Sequence, residues 1–305
     1  MPLVTSPRRV ESDNAPVGIT AMLISMFLFS IMDALVKWLG GIYDTHQIMF
    51  FRCTVAMVPV LVFLSMRGGI GLLITQHPGL HLIRAVLGVS AMASAFYGFS
   101  LMRLADAISI MHTTPLFMTV LSVLVLGERV GIRRWSAVLI GFIGMLIVVR
   151  PGEGVLESGS AYMLIAALCI ATITIIIRFL SATDDPVSIT FYFTLAGIVV
   201  STVACMVWGW KTPTLQDTLL LASVGLLGGL AQFSMTFSYR YAEVGLVAPL
   251  KYLSIAVGGT IGYLVWREIP DAQSGVGIAL IVATGLYTLH RETRLAKLQS
   301  SKEQT

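Results

Sequence analysis

Residues 95–107 read AFYGFSLMRLADA, and residues 232–244 read QFSMTFSYRYAEV. Each segment closes an apolar, aromatic-rich run with the same small pattern, Arg-x-Ala-acid. Lys, Arg, Asp and Glu make up only 12% of these 305 residues, against about 25% in a soluble chain. Two copies of a four-residue charged pattern, 137 residues apart, therefore stand out. The correspondence continues outward from them. VLGERVG (125–131) matches LVWREIP (264–270) and sets Glu128 against Glu268. Ser136 and Gly144 match Gly277 and Gly285, while LVKWL (35–39) matches IIRFL (176–180) and pairs Lys37 with Arg178. The offset drifts only from 137 to 141, and the order is kept throughout. The chain is a duplication.

The composition says what was duplicated. The residues are 56% hydrophobic, the mean hydropathy is +0.85, and crossing the hydrocarbon core as a helix takes about 20 apolar residues. Ten such runs are legible: 17–39, 46–65, 82–102, 106–126, 132–150, 159–180, 187–208, 217–239, 243–265 and 271–290. The expected fold class is an all-α polytopic membrane protein with ten transmembrane helices. Each repeat holds five of them, 17–150 and 159–290, joined by a Gly- and Pro-containing linker at 151–158. Five is odd, so the second copy enters the membrane from the opposite side. Inverted repeats of this kind mark secondary transporters, and alternating access follows when the halves exchange conformations.

Charge gives the orientation. With both ends inside, the inner loops and span ends hold thirteen Lys and Arg, Arg84 and Arg178 among them, against five outside. That bias supports a cytoplasmic N-terminal tail (1–16) and a cytoplasmic basic tail (291–305). The pI near 9.0 is thus a topology signal, and no nucleic-acid partner is expected. The first run carries Asp33 and Lys37 and reads as a retained span rather than a cleaved signal. Cys53, Cys169 and Cys205 lie in apolar runs at unrelated spacings and suggest neither disulfides nor a metal site. HExxH, GxSxG and phosphate-binding loops are missing from the sequence. Nothing points to an enzyme, a catalytic residue, a cofactor or an ATPase subunit; a channel is the weaker rival.

Two stretches carry a family resemblance: PLFMTVLSVLVLGERVGIRRWSAVLIGFIGMLIVVRP (115–151) and APLKYLSIAVGGTIGYLVWREIPDAQSGVGIALIVATGL (248–286). They resemble the drug/metabolite transporter superfamily, in its form with two EamA-type domains. The family pattern is a Pro early in the fourth helix of each half, a closing Gly-Glu and a Gly-rich fifth helix. Pro115, Gly127 and Glu128 fit it in the first half, and Pro249 and Glu268 in the second, where Arg267 replaces the Gly. The resemblance implies a multi-pass protein of a bacterial inner membrane that moves a small metabolite without a cofactor. The first half is also similar to bacterial members that take up S-adenosylmethionine or riboflavin.

Ionisable groups inside spans cost roughly 2.5–3.5 kcal/mol on insertion scales and are functional candidates by default. Counting depth from the span ends puts Asp33, Arg52, Tyr97 and His112 roughly 9 Å below the outer surface. These four form one expected polar layer for substrate binding or gating, with Asp33 and His112 as candidate proton-coupling groups. Lys37, one turn from Asp33, could instead neutralise it. Gln232, Ser234 and Lys251 are the contribution of the second half, nearer the inner surface. Arg103, Asp106, Arg240 and Glu243 read as matching hairpin anchors. Glu128 and Glu268 read as turn anchors beside Arg129 and Arg267, and Pro115 and Pro249 as structural. Gly225-x-x-x-Gly229 and Gly258-x-x-x-Gly262 admit close helix packing within the fold or across a homodimer. A zwitterion or polar heterocycle suits a pocket that offers both signs of charge.

Overall fold

A computed structural model of the protein describes residues 15–67, 69–126, 132–149, 158–180, 183–241 and 248–303. Among the described residues every regular element is helical. The helices are α1 (Ala15–Gly40), α2 (Thr45–Arg67), α3 (Pro78–Leu101), α4 (Leu104–Met111), α5 (Thr114–Leu126), α6 (Ile132–Val149), α7 (Ser158–Leu180), α8 (Pro186–Trp208), α9 (Leu215–Tyr241), α10 (Leu253–Trp266) and α11 (Ala272–Glu303). Short 3-10 turns occupy Gly69–Leu73 and Ala248–Tyr252.

Local chemistry starts these helices where they start. Pro78 and Pro186 sit in the first turns of α3 and α8, where a missing N–H costs nothing. The Asp185 carboxylate accepts the Val187 N–H at 2.8 Å, Thr214 accepts the Asp217 N–H at 3.2 Å, and Asp271 accepts the Ser274 N–H at 2.7 Å. Each is an N-cap that satisfies one otherwise orphaned donor.

Among the described residues seven stretches are long and apolar enough to cross a membrane: Pro16–Gly40, Thr45–Met66, Pro78–Leu101, Leu104–Leu121, Gly159–Ile177, Val187–Trp208 and Leu215–Met235. Shorter apolar helices cover Trp135–Val149, Leu250–Trp266 and Ala272–Tyr287. The exterior is greasy and the interior holds hydroxyls, as expected in lipid. Val203, Met206 and Leu139 are exposed, whereas Ser25, Ser30, Ser109 and Ser238 are fully buried. These buried hydroxyls donate to backbone carbonyls, Ser25 to Ala231 at 2.7 Å and Ser238 to Gly18 at 2.7 Å, so they cross no hydrocarbon unsatisfied. The protein is a polytopic membrane protein. One boundary moves: the basic tail expected at 291–305 continues α11 as helix to Glu303.

The packing is paired. α1 lies antiparallel on α9 in the way that α3 lies on α7, while α2 packs on α8 and α6 on α11. Glycines set the closest approaches. A Cβ on Gly144 would sit 2.9 Å from the Gly277 carbonyl oxygen, and one on Gly277 would sit 2.7 Å from the Gly144 carbonyl oxygen. Gly225 and Gly229 receive Val55 and Pro59 of α2, and Gly258 receives Ile108. Both Gly-x-x-x-Gly faces are therefore spent inside the fold. α1, α3 and α8 begin at one surface, here the second face, and end at the opposite, first face, where α10 also ends.

Candidate functional site

The run 106–126 breaks into two helices, and the described part of the run 243–265 opens with a 3-10 turn. α4 ends at His112, and α5 starts at Thr114 with Pro115 in its first turn. The Thr113 hydroxyl donates to the Ile110 carbonyl at 2.6 Å and so caps part of the freed end. In the second half, Pro249 lies in the 3-10 turn Ala248–Tyr252 that precedes α10. Proline cannot donate to the preceding turn, and at the first break the Thr114 hydroxyl donates to the freed Met111 carbonyl at 2.7 Å.

His112 joins the two breaks. Its Nδ1 lies 2.8 Å from the Ile108 carbonyl oxygen, and its Nε2 lies 3.1 Å from the Lys251 carbonyl oxygen and 3.3 Å from Ser254 Oγ. Tyr252 tilts against the imidazole at a centroid distance of 5.1 Å. Sequence counting had set His112 and Lys251 in opposite layers. The fold instead makes them neighbours, because both sit at a broken helix near mid-membrane.

Asp33 and Arg52 form a second grouping, between α1, α2 and α9. Asp33 feels the Arg52 charge, yet no ion pair within 4.0 Å joins them. The Arg52 guanidinium rests on Gly228, beside the Met32 sulfur. A Cβ at Gly228 would occupy the same space, so this glycine makes room for the cation. Lys37 does not neutralise Asp33 as the one-turn spacing allowed. Its ammonium pairs with Glu268 and donates to the Met102 carbonyl at 2.7 Å.

That pair is the centre of a clasp on the first face. Glu268 also accepts the Leu104 N–H at 3.1 Å. Arg103 binds Asp106 at 2.6 Å, the Ile269 carbonyl at 3.2 Å and Ser274 at 3.1 Å, and lies 3.7 Å from Asp271. Trp38 and Trp266 meet at 6.2 Å beside Lys37. The end of α1, the α3–α4 corner and the α10–α11 loop are thereby locked together. Arg103 and Asp106 anchor more than their own hairpin. Glu268 likewise ties more than its own turn, since its partner Lys37 lies 231 residues away. Arg267 itself has φ 58° and ψ 29°, the left-handed conformation that the replaced glycine would adopt freely.

Tyr97 leaves the expected layer. It is 42% exposed and packs edge-on against Tyr162 at 4.7 Å, on the α3–α7 side. Gln232 is exposed on α9, next to a cleft of about 440 Å³ lined by Thr20, Ile24, Phe233 and Ser234 at the second face. Glu128 and Glu243, and the side chains of Arg178, Arg240 and Pro249, lie outside the described residues. A site that sequence counting passed over is Arg84. Assigned to a span end, it is the seventh residue of α3, its Cζ 4.2 Å from the Phe193 ring centroid. One turn earlier His81 meets Asp184 at 2.5 Å. The missed signal was Pro78, which moves the start of the helix from 82 to 78.

These features can be set beside known proteins. The model of the EamA-like transporter family matches twice, over 16–150 and 157–289. A pseudopaline exporter of Pseudomonas aeruginosa is 31% identical over 87% of this chain and 93% of its own. An S-adenosylmethionine uptake transporter of Rickettsia bellii is 28% identical over 91% and 95%, and a riboflavin transporter of Rhizobium johnstonii is 27% identical over 93% and 95%. A crystal structure of a protein 17% identical superposes with a TM-score of 0.65, covering 91% of this chain and 98% of that one, which shows a shared fold. With its two matched repeats and its broken, paired helices, the chain belongs to the EamA-like transporter family and is a membrane transporter of small metabolites, not an enzyme.

Proposed function

We propose that the protein is a secondary carrier with ten crossings in two inverted five-helix halves, which moves a zwitterionic or polar heterocyclic metabolite across the bacterial inner membrane by alternating access. The carrying observation is the pairing of helices. Exchanging the halves turns the α1–α9 contact into α7–α3 and leaves α2–α8 and α6–α11 paired with themselves, as an in-plane twofold requires. The bias of Lys and Arg assigns the second face to the cytoplasm. The first face is then periplasmic, and its clasp makes this the outward-closed conformation, with the cleft at the cytoplasmic side.

In this reading Asp33 and Arg52 take the opposite charges of the substrate. They are near enough to sense each other and are not joined, which leaves both heads available. His112 is the second candidate for coupling. Protonated, its two nitrogens can donate to Ile108 and Lys251; neutral, one nitrogen can accept from Ser254 instead. A proton thus changes the bond between the two broken helices. Lys251, Tyr97 and Gln232 are accessory candidates along the path.

S-adenosylmethionine suits this site best, since it carries a carboxylate, an ammonium and a sulfonium, and the Rickettsia relative is named for its uptake. The second reading is facilitative exchange of the same compound or of riboflavin. The test is uptake by proteoliposomes with and without a pH gradient. Asp33→Asn abolishes gradient-driven accumulation if Asp33 couples; accumulation that survives the substitution rules Asp33 out as the coupling group, and wild-type uptake that ignores the pH gradient favours exchange.

A further inference from the structure

Three buried side-chain nitrogens that lack a hydrogen-bond partner among the described residues lie on one turn of α3: His81 Nδ1, Arg84 Nε and Arg84 Nη1. The nearby carboxylates are already committed. Asp184 takes Thr75 and His81, each at 2.5 Å, and Asp185 caps Val187. No described carboxylate lies within 4.0 Å of the Arg84 guanidinium, which Phe193 covers on one face. A buried cation without an anion is costly, and within a membrane span such a residue marks a ligand path.

The direction of the side chain excludes the simplest explanation. Helical side chains lean towards their own N-terminus, and an arginine reaching for lipid headgroups from this position would lean towards Pro78. Arg84 turns the other way. Its Nη1 lies 3.3 Å from where a Cβ on Gly88 would stand, one turn deeper in the membrane. Gly88 supplies the space, and the Phe193 ring fixes the plane of the guanidinium. A planar, pre-oriented guanidinium with unused donors can receive a carboxylate, in a bidentate manner where Nη2 joins Nε or Nη1.

We infer that Arg84, held by Phe193 and Gly88, is an anchor for a carboxylate-bearing solute in the half of the membrane nearer the second face. It lies apart from Asp33 and Arg52, and it would take the acid group as the solute moves between faces. The inference rests on the carrier reading for its ligand, and the test separates the two.

The test is counterflow in proteoliposomes of phosphatidylcholine alone, with S-adenosylmethionine and its carboxamide as matched probes. Wild type should favour the acid by at least about tenfold in half-saturating concentration. Arg84→Gln should reduce that preference several-fold, leaving the part that Arg52 supplies, and Arg84→Lys should keep more of it, which also controls for folding. An undiminished preference in Arg84→Gln overturns the anchor and leaves the carrier reading standing. If wild type carries neither probe, the substrate reading has failed, and acetate decides the anchor alone. At fixed ionic strength, acetate should raise the melting temperature of wild type above its value in chloride and not that of Arg84→Gln. An equal response in both overturns the anchor. An effect of Arg84→Gln seen only with phosphatidylglycerol present assigns the guanidinium to lipid and also overturns it.

Discussion

Replacing Glu268 with Gln removes one charge from the clasp and keeps its shape. The Lys37 and Glu268 side chains are 9% and 20% exposed, so solvent screens the pair only in part. Gln still offers an oxygen to Lys37 or to the Leu104 N–H, and Lys37 keeps the Met102 carbonyl. The loss is therefore that of a charge-assisted bond, about 1.5–3 kcal/mol, rather than that of a stranded buried charge. If the clasp holds the first face shut, the open state gains about tenfold to a hundredfold in population. Ser109 reports on it: it is fully buried on α4, about 7.5 Å along the helix from Leu104. With Cys53, Cys169 and Cys205 replaced by Ala, a Ser109→Cys variant in detergent should react with a hydrophilic maleimide about tenfold to a hundredfold faster once Glu268→Gln is added. Lys37→Met should do the same, and the double substitution should fall well short of the sum. Labelling within twofold of the parent, in a protein that still melts cooperatively, would refute the clasp as a closure.

Three further outcomes test the packing and the loops. Arg267→Gly should raise the melting free energy by roughly 1 kcal/mol, since an L-residue gives up about that much in the left-handed region; a loss of stability would contradict the strain. Gly277→Ala should cost about 1–3 kcal/mol by overpacking, because its new methyl meets the backbone oxygen of Gly144, and thermal unfolding reads it. Asp184 carries the pH prediction. Burial pushes its carboxyl up, but hydrogen bonds from Thr75, His81 and Thr183 outweigh this and hold it below the ordinary value. Its contribution to stability is then full above a pH of about 4 and lost as pH falls through the lower, folded value. Melting temperature followed from pH 6 to 3 should drop more steeply in wild type than in Asp184→Asn.

Much of the architecture was legible because run length and repetition are one-dimensional signals. The RLAD and RYAE segments located both halves without any structure. What stayed hidden depends on azimuth and on distant pairing. Depth counting gave Tyr97 and His112 a height but no rotation about their helices, so one turned to Tyr162 and the other to Lys251. Apolarity along 106–126 and 243–265 is blind to a backbone break, although Pro115 and Pro249 were in plain view. Glu268 reads from sequence as a turn anchor with no partner named; its partner Lys37 lies on another helix, and only the fold brings α1 to the α10–α11 loop. Arg84 was given to a span end because a hydrophobic window starts late, whereas Pro78 starts the helix earlier.

The most direct measurement is trans-stimulated uptake of labelled S-adenosylmethionine into proteoliposomes preloaded with the unlabelled compound. The carrier account predicts uptake several times faster than into empty vesicles, saturable, and lost in the Asp33→Asn, Arg52→Gln double variant. Saturable uptake that ignores the contents of the vesicle, or rapid ohmic flux, would contradict alternating access.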